Sequence, residues 1–67
     1  MEKNWVKIFK TDQLYEANVM EALLKENDVV VFRINKQDSA YGPLIPGFIE
    51  LYTTAEQVEK AQSIINQ

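Results

Sequence analysis

The sequence alternates between two hydrophobic periods, and this alternation constrains the fold more than any other feature. "VKIF", "VVVFRI" and "FIELYT" are apolar at every second position or rich in β-branched and aromatic residues, which is typical of strands. Two other segments repeat apolar residues at helical spacing. The predicted elements are a strand at 4–10, a helix at 13–26, strands at 29–34 and 48–53, and a helix from 54 onwards.

The strand patterns predict which side chains face the core. In the first strand Val6 and Ile8 alternate with Trp5, Lys7 and Phe9. In the third, Ile49 and Leu51 face the core, opposite Phe48, Glu50 and Tyr52. In the second, placing Arg33 in water turns the apolar residues Val30, Phe32 and Ile34 towards the core.

The helix patterns predict both packing faces and helix ends. The first helix centres its apolar face on Val19, Met20 and Leu23, with Ala17 and Leu24 on one flank and Tyr15 and Ala22 on the other. We expect Thr11 or Asp12 to cap its start, and Asn27 or Asp28 to end it in a left-handed conformation. In the second helix, "TAEQ" at 54–57 fits a capping box, and the apolar positions are Val58, Ala61 and Ile65.

These elements predict one α+β domain spanning residues 1–67, with the order β-α-β-β-α. A right-handed crossover makes the first two strands parallel, and both helices must cover one face of the sheet to bury their apolar stripes. The result is a ferredoxin-like arrangement with strand order 1-3-2 and without its usual fourth strand. The first strand would then lie at an edge of the sheet.

Composition excludes several classes of function. The chain has no cysteine and no histidine, so the commonest metal ligands and the usual base at neutral pH are missing. We therefore expect a protein that is not an enzyme and has no metal site or cofactor. The net charge of -3 argues against nucleic acid, and the longest apolar run is too short to span a membrane, which favours a cytoplasmic location.

The segment "NKQDSAYGPLIPG", residues 35–47, contains both glycines and both prolines of the chain. It is long for a connection between two strands that could be joined by two to five residues. Two interpretations stay open. The segment is either a recognition loop or a connector whose Leu44 and Ile45 pack under the sheet.

The sheet face away from the helices is the leading candidate for function. On it the alternation gathers aromatic residues with Lys7, Glu50 and Arg33, and exposed aromatic clusters usually mark a contact surface. RNA-recognition sheets also display aromatics, but they surround them with basic residues, and this chain has one arginine. We expect a binding or signalling module that self-associates or docks a protein partner through this face and the 35–47 loop, using Trp5, Phe9, Tyr41, Phe48 and Tyr52.

The alternative hypothesis is a small-molecule sensor whose 35–47 loop closes over a ligand. The polar contacts would come from Arg33, Asn35, Asp38 and Ser39. Charged residues on the helices, such as Glu21 followed by Lys25, are better explained as surface ion pairs at helical spacing.

Two stretches, "YEANVMEALLKENDVVVF" and "IELYTTAEQVEKAQSII", resemble a family of small bacterial domains described as putative prokaryotic signal-transducing proteins. The similarity rests on helix positions Glu16, Ala17, Leu23 and Leu24, and on Glu56, Glu59 and Ala61. Asp28 and Val29 stand where that family commonly has Gly-Ile. The resemblance implies a domain compared in shape with small-molecule-responsive regulators, and it supplies no catalytic residues.

Overall fold

The computed structural model describes residues 4–36 and 47–66, apart from the side chain of Lys36. Its elements are β1 (Trp5–Thr11), α1 (Leu14–Glu26), β2 (Phe32–Lys36), β3 (Phe48–Thr54), a 3₁₀ turn (Ala55–Gln57) and α2 (Val58–Ile65). β3 lies between β1 and β2 and is antiparallel to both, so the order 1-3-2 and the α+β, ferredoxin-like class are confirmed. No fourth strand occurs among these residues.

Both helices pack on one face of the sheet. They contact each other, and each contacts β1 and β3. The core joins Leu24 of α1 and Ala61 and Ile64 of α2 to Leu51 of β3, and Leu24, Ala61 and Leu51 have no exposed surface. The prediction that Leu51 faces the core is therefore confirmed, and the opposite sheet face is turned away from both helices.

A β-bulge in β1 reverses the predicted orientation of Phe9. Lys7 lies opposite Tyr52, but Phe9 lies opposite Leu51, so two residues of β1 span one step of β3. A bulge adds one residue to one strand and so moves the following side chains to the other face. Phe9 consequently packs against the core with Ile8, and the prediction that it faces away from the helices is wrong.

β2 is turned over relative to the prediction. Arg33 lies opposite Leu51 on the helix side, while Phe32 and Ile34 lie opposite Tyr52 and Glu50 on the other side. The preceding connection follows the same alternation, since Val29 is buried and Val30 is exposed. The prediction assumed that a charged residue must face water.

Arg33 instead finds partners on α1, which makes the helix side acceptable for its charge. Its Nη2 donates a hydrogen bond to Asn18 Oδ1 at 2.7 Å, and its Nε lies 3.5 Å from Glu21 Oε1. That nitrogen is buried and makes no hydrogen bond, so its contact with Glu21 is an ion pair alone. Because the register of a strand has a period of two, accommodating Arg33 here moves Phe32 to the opposite face.

α1 is rotated from its predicted orientation. Ala17 and Leu24 are fully buried. Met20 and Leu23 are half-buried and pack against the core, whereas Val19 is 48% exposed. The sequence pattern placed Val19 at the centre because apolar residues occur on more than half of the helix circumference. Ala17 is the smallest buried residue of the helix and has no exposed surface.

The ends of α1 use the polar residues around them. At the start, the Thr11 hydroxyl accepts a hydrogen bond from the Gln13 amide at 3.0 Å and donates one to Glu16 Oε1 at 2.5 Å. At the end, the Val29 amide bonds to the Leu24 carbonyl and the Asp28 amide to the Lys25 carbonyl. This is a Schellman motif, and Asp28 takes the predicted left-handed conformation, with φ 65°.

The predicted capping box before α2 is wrong. Thr54 makes no capping bond with its side chain, and Gln57 ends a 3₁₀ turn instead. The Gln57 side chain reaches across to the α1–β2 connection, where Oε1 accepts from the Val30 amide at 2.8 Å and Nε2 donates to the Asp28 carbonyl at 3.1 Å. This paired contact fixes the connection to α2, and the buried Thr53 hydroxyl adds a 2.6 Å bond to the Val30 carbonyl.

Candidate functional site

The candidate site is the sheet face turned away from the helices, which we call the open face. Strand register defines its members, because residues directly opposite each other share a face. Tyr52 lies opposite Lys7 and Phe32, Glu50 lies opposite Lys10 and Ile34, and Thr54 lies opposite Trp5. The open face therefore consists of Trp5, Lys7, Lys10, Phe32, Ile34, Phe48, Glu50, Tyr52 and Thr54, together with the backbone position of Lys36, which lies opposite Phe48.

Three large apolar rings of the open face are accessible to water. Trp5 is 41% exposed, Phe32 49% and Phe48 40%. Trp5 and Phe32 come from the two outer strands, yet their rings meet above β3 with centroids 5.5 Å apart at an angle of 39°. The ring contact orders both side chains, so the face offers a preformed aromatic surface.

A polar group lies at the centre of the open face. Glu50 is 4% exposed; its Oε2 lies 3.5 Å from Lys7 Nζ, and its Oε1 accepts a 2.7 Å hydrogen bond from the Tyr52 hydroxyl. Lys7 and Glu50 thus form an ion pair between the neighbouring strands β1 and β3. The hydrogen bond to Glu50, followed by burial and by the charge of the carboxylate, raises the pKa of the Tyr52 phenol above its usual 10.0.

Lys10 adds a second cation near the edge of the open face. Its Nζ lies 4.5 Å from the centroid of the Phe48 ring, within the range of a cation–π contact. Lys7 is about half exposed although it pairs with Glu50. Among the side chains that the structure describes, the charged groups of the open face are therefore two lysines and one buried carboxylate.

The helix side of the molecule has the opposite character. Exposed carboxylates occur along both helices and in the turns before and after α1. Glu21 pairs with Lys25 at 3.0 Å, which confirms the predicted i to i+4 ion pair, and it also pairs with Arg33. The remaining carboxylates there are Asp12, Glu16, Glu26, Asp28, Glu56 and Glu59. Charge is thus divided between an acidic helix side and an open face that carries lysines.

Of the five residues predicted to contact a partner, the structure places three on the open face: Trp5, Phe48 and Tyr52. Phe9 is on the core side because of the bulge. Tyr41 lies outside the described residues, as does most of the 35–47 loop. The sequence interpretation missed Phe32, because it placed Arg33 rather than Phe32 on the side away from the core.

The residues predicted to contact a small molecule are not gathered on the open face. Arg33 and Asn35 lie on the helix side of β2, opposite Leu51 and Ile49. Arg33 is engaged by Glu21 and Asn18, whereas Asn35 is exposed. Asp38 and Ser39 lie outside the described residues, and so do Leu44 and Ile45.

Neither a metal cluster nor a membrane span is found in the part of the chain that the structure describes. Residues 4–36 and 47–66 contain no group of three carboxylates placed to hold a metal ion. In the same ranges, neither helix has the length and apolar character needed to cross a bilayer.

Comparison with known proteins gives one match. A family model described as putative prokaryotic signal transducing protein matches residues 5–67, which include every described element of the fold. No curated protein and no solved structure matches the chain.

Proposed function

Because the chain belongs to the putative prokaryotic signal transducing protein family, we propose that it is a signalling module that docks a protein through its open face. The docked protein is a second copy of the chain or a different protein. In this proposal the domain acts in the cytoplasm and performs no chemistry of its own. The observation that carries it is the ring pair of Trp5 and Phe32, which stays exposed on a face that neither helix covers.

Burying the open face against a partner stabilises a chain as small as this one. A chain of this size buries only about 60% of the surface that its unfolded form exposes, so added burial stabilises it substantially. Tryptophan and other aromatic side chains in a central, ordered patch supply most of the binding energy in many interfaces. The polar group formed by Lys7, Glu50 and Tyr52 adds directional contacts at the centre of the patch.

The experiment is site-specific photo-crosslinking in bacterial cells with the full chain. One variant has p-benzoyl-phenylalanine in place of Phe48 on the open face, and the control has it in place of Gln62, which is exposed on α2. We expect discrete protein adducts from position 48 and none from position 62. Mass spectrometry of the adduct distinguishes a second copy from another protein.

A second variant, Trp5→Ala, tests whether the adduct depends on the ring pair. We expect the adduct from position 48 to disappear while the far-ultraviolet circular dichroism of the helices is unchanged, because Trp5 lies on the open face and is not part of the core cluster beneath the helices. Equal adducts from positions 48 and 62, or an adduct that survives Trp5→Ala, would contradict the proposal.

A further inference from the structure

The outer edge of β1, which borders the open face, is a second surface that could engage a partner. β1 has seven residues, and in the described ranges, 4–36 and 47–66, only β3 pairs with it. An edge strand leaves the backbone N–H and C=O groups of one side available to another strand. Seven residues are enough for a strand of ordinary length to pair along it.

The charges along β1 restrict what that strand can be. Lys7 and Lys10 both project from β1 onto the open face, because the bulge brings the second lysine to the same side as the first. A strand added outside β1 places its own side chains beside these two lysines, about 5 Å away at the Cβ atoms. Acidic residues at those positions form favourable cross-strand pairs, and basic residues are repelled.

The same lysines act against pairing between two copies of β1. An antiparallel pair centred between Ile8 and Phe9 would place Lys7 of one copy opposite Lys10 of the other, and like charges directly opposite each other are destabilising. Lysine on an edge strand is a device that limits pairing between identical edges. A different, acidic strand meets no such repulsion.

The side of β1 that faces the helices sets the rest of the pattern. Val6 and Phe9 lie opposite Thr53 and Leu51 on that side, so an added strand would present apolar residues next to them. The geometry points to an extended acidic segment of another protein, with carboxylates alternating with apolar residues, that pairs with the outer edge of β1. This inference rests on the proposed function and names the chemistry of the partner.

Single-stranded nucleic acid fits the open face less well. Its binding needs a cationic groove along the backbone as well as rings for stacking. Among the described side chains, the open face has two lysines around a buried carboxylate, and Arg33 is held on the helix side by Glu21. Nucleic acid is therefore kept as an outcome of the test.

The test is a titration of the isotopically labelled full chain with the heptapeptide VEVEVEV, followed by nuclear magnetic resonance. The control peptides are VQVQVQV and VKVKVKV, and a single-stranded oligouridine is titrated in parallel. We expect the acidic peptide alone to bind, with slowed hydrogen exchange of β1 amides and an affinity that falls with added salt.

Charge-reversal variants identify the edge. Lys10→Glu should weaken binding of the acidic peptide about fivefold or more, the ratio expected from a cross-strand charge pair of about 1 kcal/mol. Lys60→Glu makes the same change in net charge on α2 and should leave the affinity unchanged. If Lys10→Glu disturbs the fold, Lys10→Gln provides the same comparison with a smaller change.

Three results would overturn the inference. They are equal binding of the three peptides, binding without protection of β1 amides, and equal effects of Lys10→Glu and Lys60→Glu. If position 48 still yields protein adducts, these results contradict only the acidic-strand inference and not the proposal that the open face docks a protein. Tighter binding of oligouridine than of the acidic peptide on the same face would contradict both proposals.

Discussion

The backbone conformation of a single residue, Asp28, marks the carboxyl end of α1. It ends α1 with φ 65°, a region in which a residue with a Cβ atom is strained and glycine is not. Aspartate tolerates this conformation better than most residues, which is why the sequence predicted a stop here.

We expect Asp28→Gly to raise the free energy of unfolding by about 0.5–1 kcal/mol, measured by urea denaturation. The change relieves the left-handed strain and removes a negative charge from the carboxyl end of α1, where it is unfavourable. Asp28→Ala is the matched control, since it removes the same charge and keeps a Cβ atom. Equal stability of the two variants would show that the strain is absent.

Tyr52 gives a residue-scale test of the polar centre of the open face. Its hydroxyl donates to Glu50, which favours the neutral phenol and raises the pKa above 10.0. The titration of Tyr52 is obtained by subtracting the tyrosinate absorbance of Tyr52→Phe from that of the unaltered chain. We expect this difference to titrate above pH 10, and Glu50→Gln to lower its midpoint because the negative charge is lost.

The sign of the linked stability follows from the raised pKa. In the unfolded chain the phenol ionises near pH 10, while in the folded chain it stays neutral to higher pH. The stability from this contact is therefore complete below pH 10 and is lost as the pH rises through the folded pKa. A difference titration at or below pH 10 would contradict the contact between Tyr52 and Glu50.

At the scale of elements, the sequence predicted the number, type and order of strands and helices because each has a clear period. It did not predict the faces of β1 after Lys7, since a bulge leaves no mark in a pattern read at constant period. The orientation of β2 depended on Arg33, whose partners Asn18 and Glu21 lie fifteen and twelve residues earlier in the chain. Local patterns cannot contain such contacts.

The Gln57 side chain joins the α1–β2 connection to the start of α2. Replacing this side chain tests how much the joined connection stabilises the fold. Gln57→Ala loses two hydrogen bonds to the backbone, at Asp28 and Val30, and leaves a donor and an acceptor without a protein partner. We expect a loss of about 1–3 kcal/mol in the free energy of unfolding. Urea denaturation measures it.

Two further variants distinguish the effect of losing the two Gln57 hydrogen bonds from a general effect of shortening a glutamine. Gln57→Glu keeps the acceptor for the Val30 amide and loses the donor to Asp28, so its loss should be smaller. Gln62→Ala shortens an exposed glutamine of α2 and should leave stability within about 0.5 kcal/mol of the unaltered chain. A Gln57→Ala variant as stable as Gln62→Ala would show that the two Gln57 hydrogen bonds do not stabilise the fold.

At the scale of the whole molecule, the two sides differ in both shape and charge. The helix side is acidic and its core is closed, while the described side chains of the open face include aromatic rings and the lysines Lys7 and Lys10. The candidate site was predictable from the sequence to the extent that Trp5, Phe48 and Tyr52 follow strand periodicity. Phe32 was not, because its place depends on where Arg33 finds its partner.

The most direct test of this arrangement is a nuclear Overhauser spectrum of the labelled chain in solution. We expect cross-peaks between the ring protons of Trp5 and Phe32, and between Leu51 and the methyl groups of Leu24 and Ala61. Cross-peaks from Phe32 to Ala17 or Leu24, with none to Trp5, would show that β2 has the opposite orientation and that Phe32 is not on the open face.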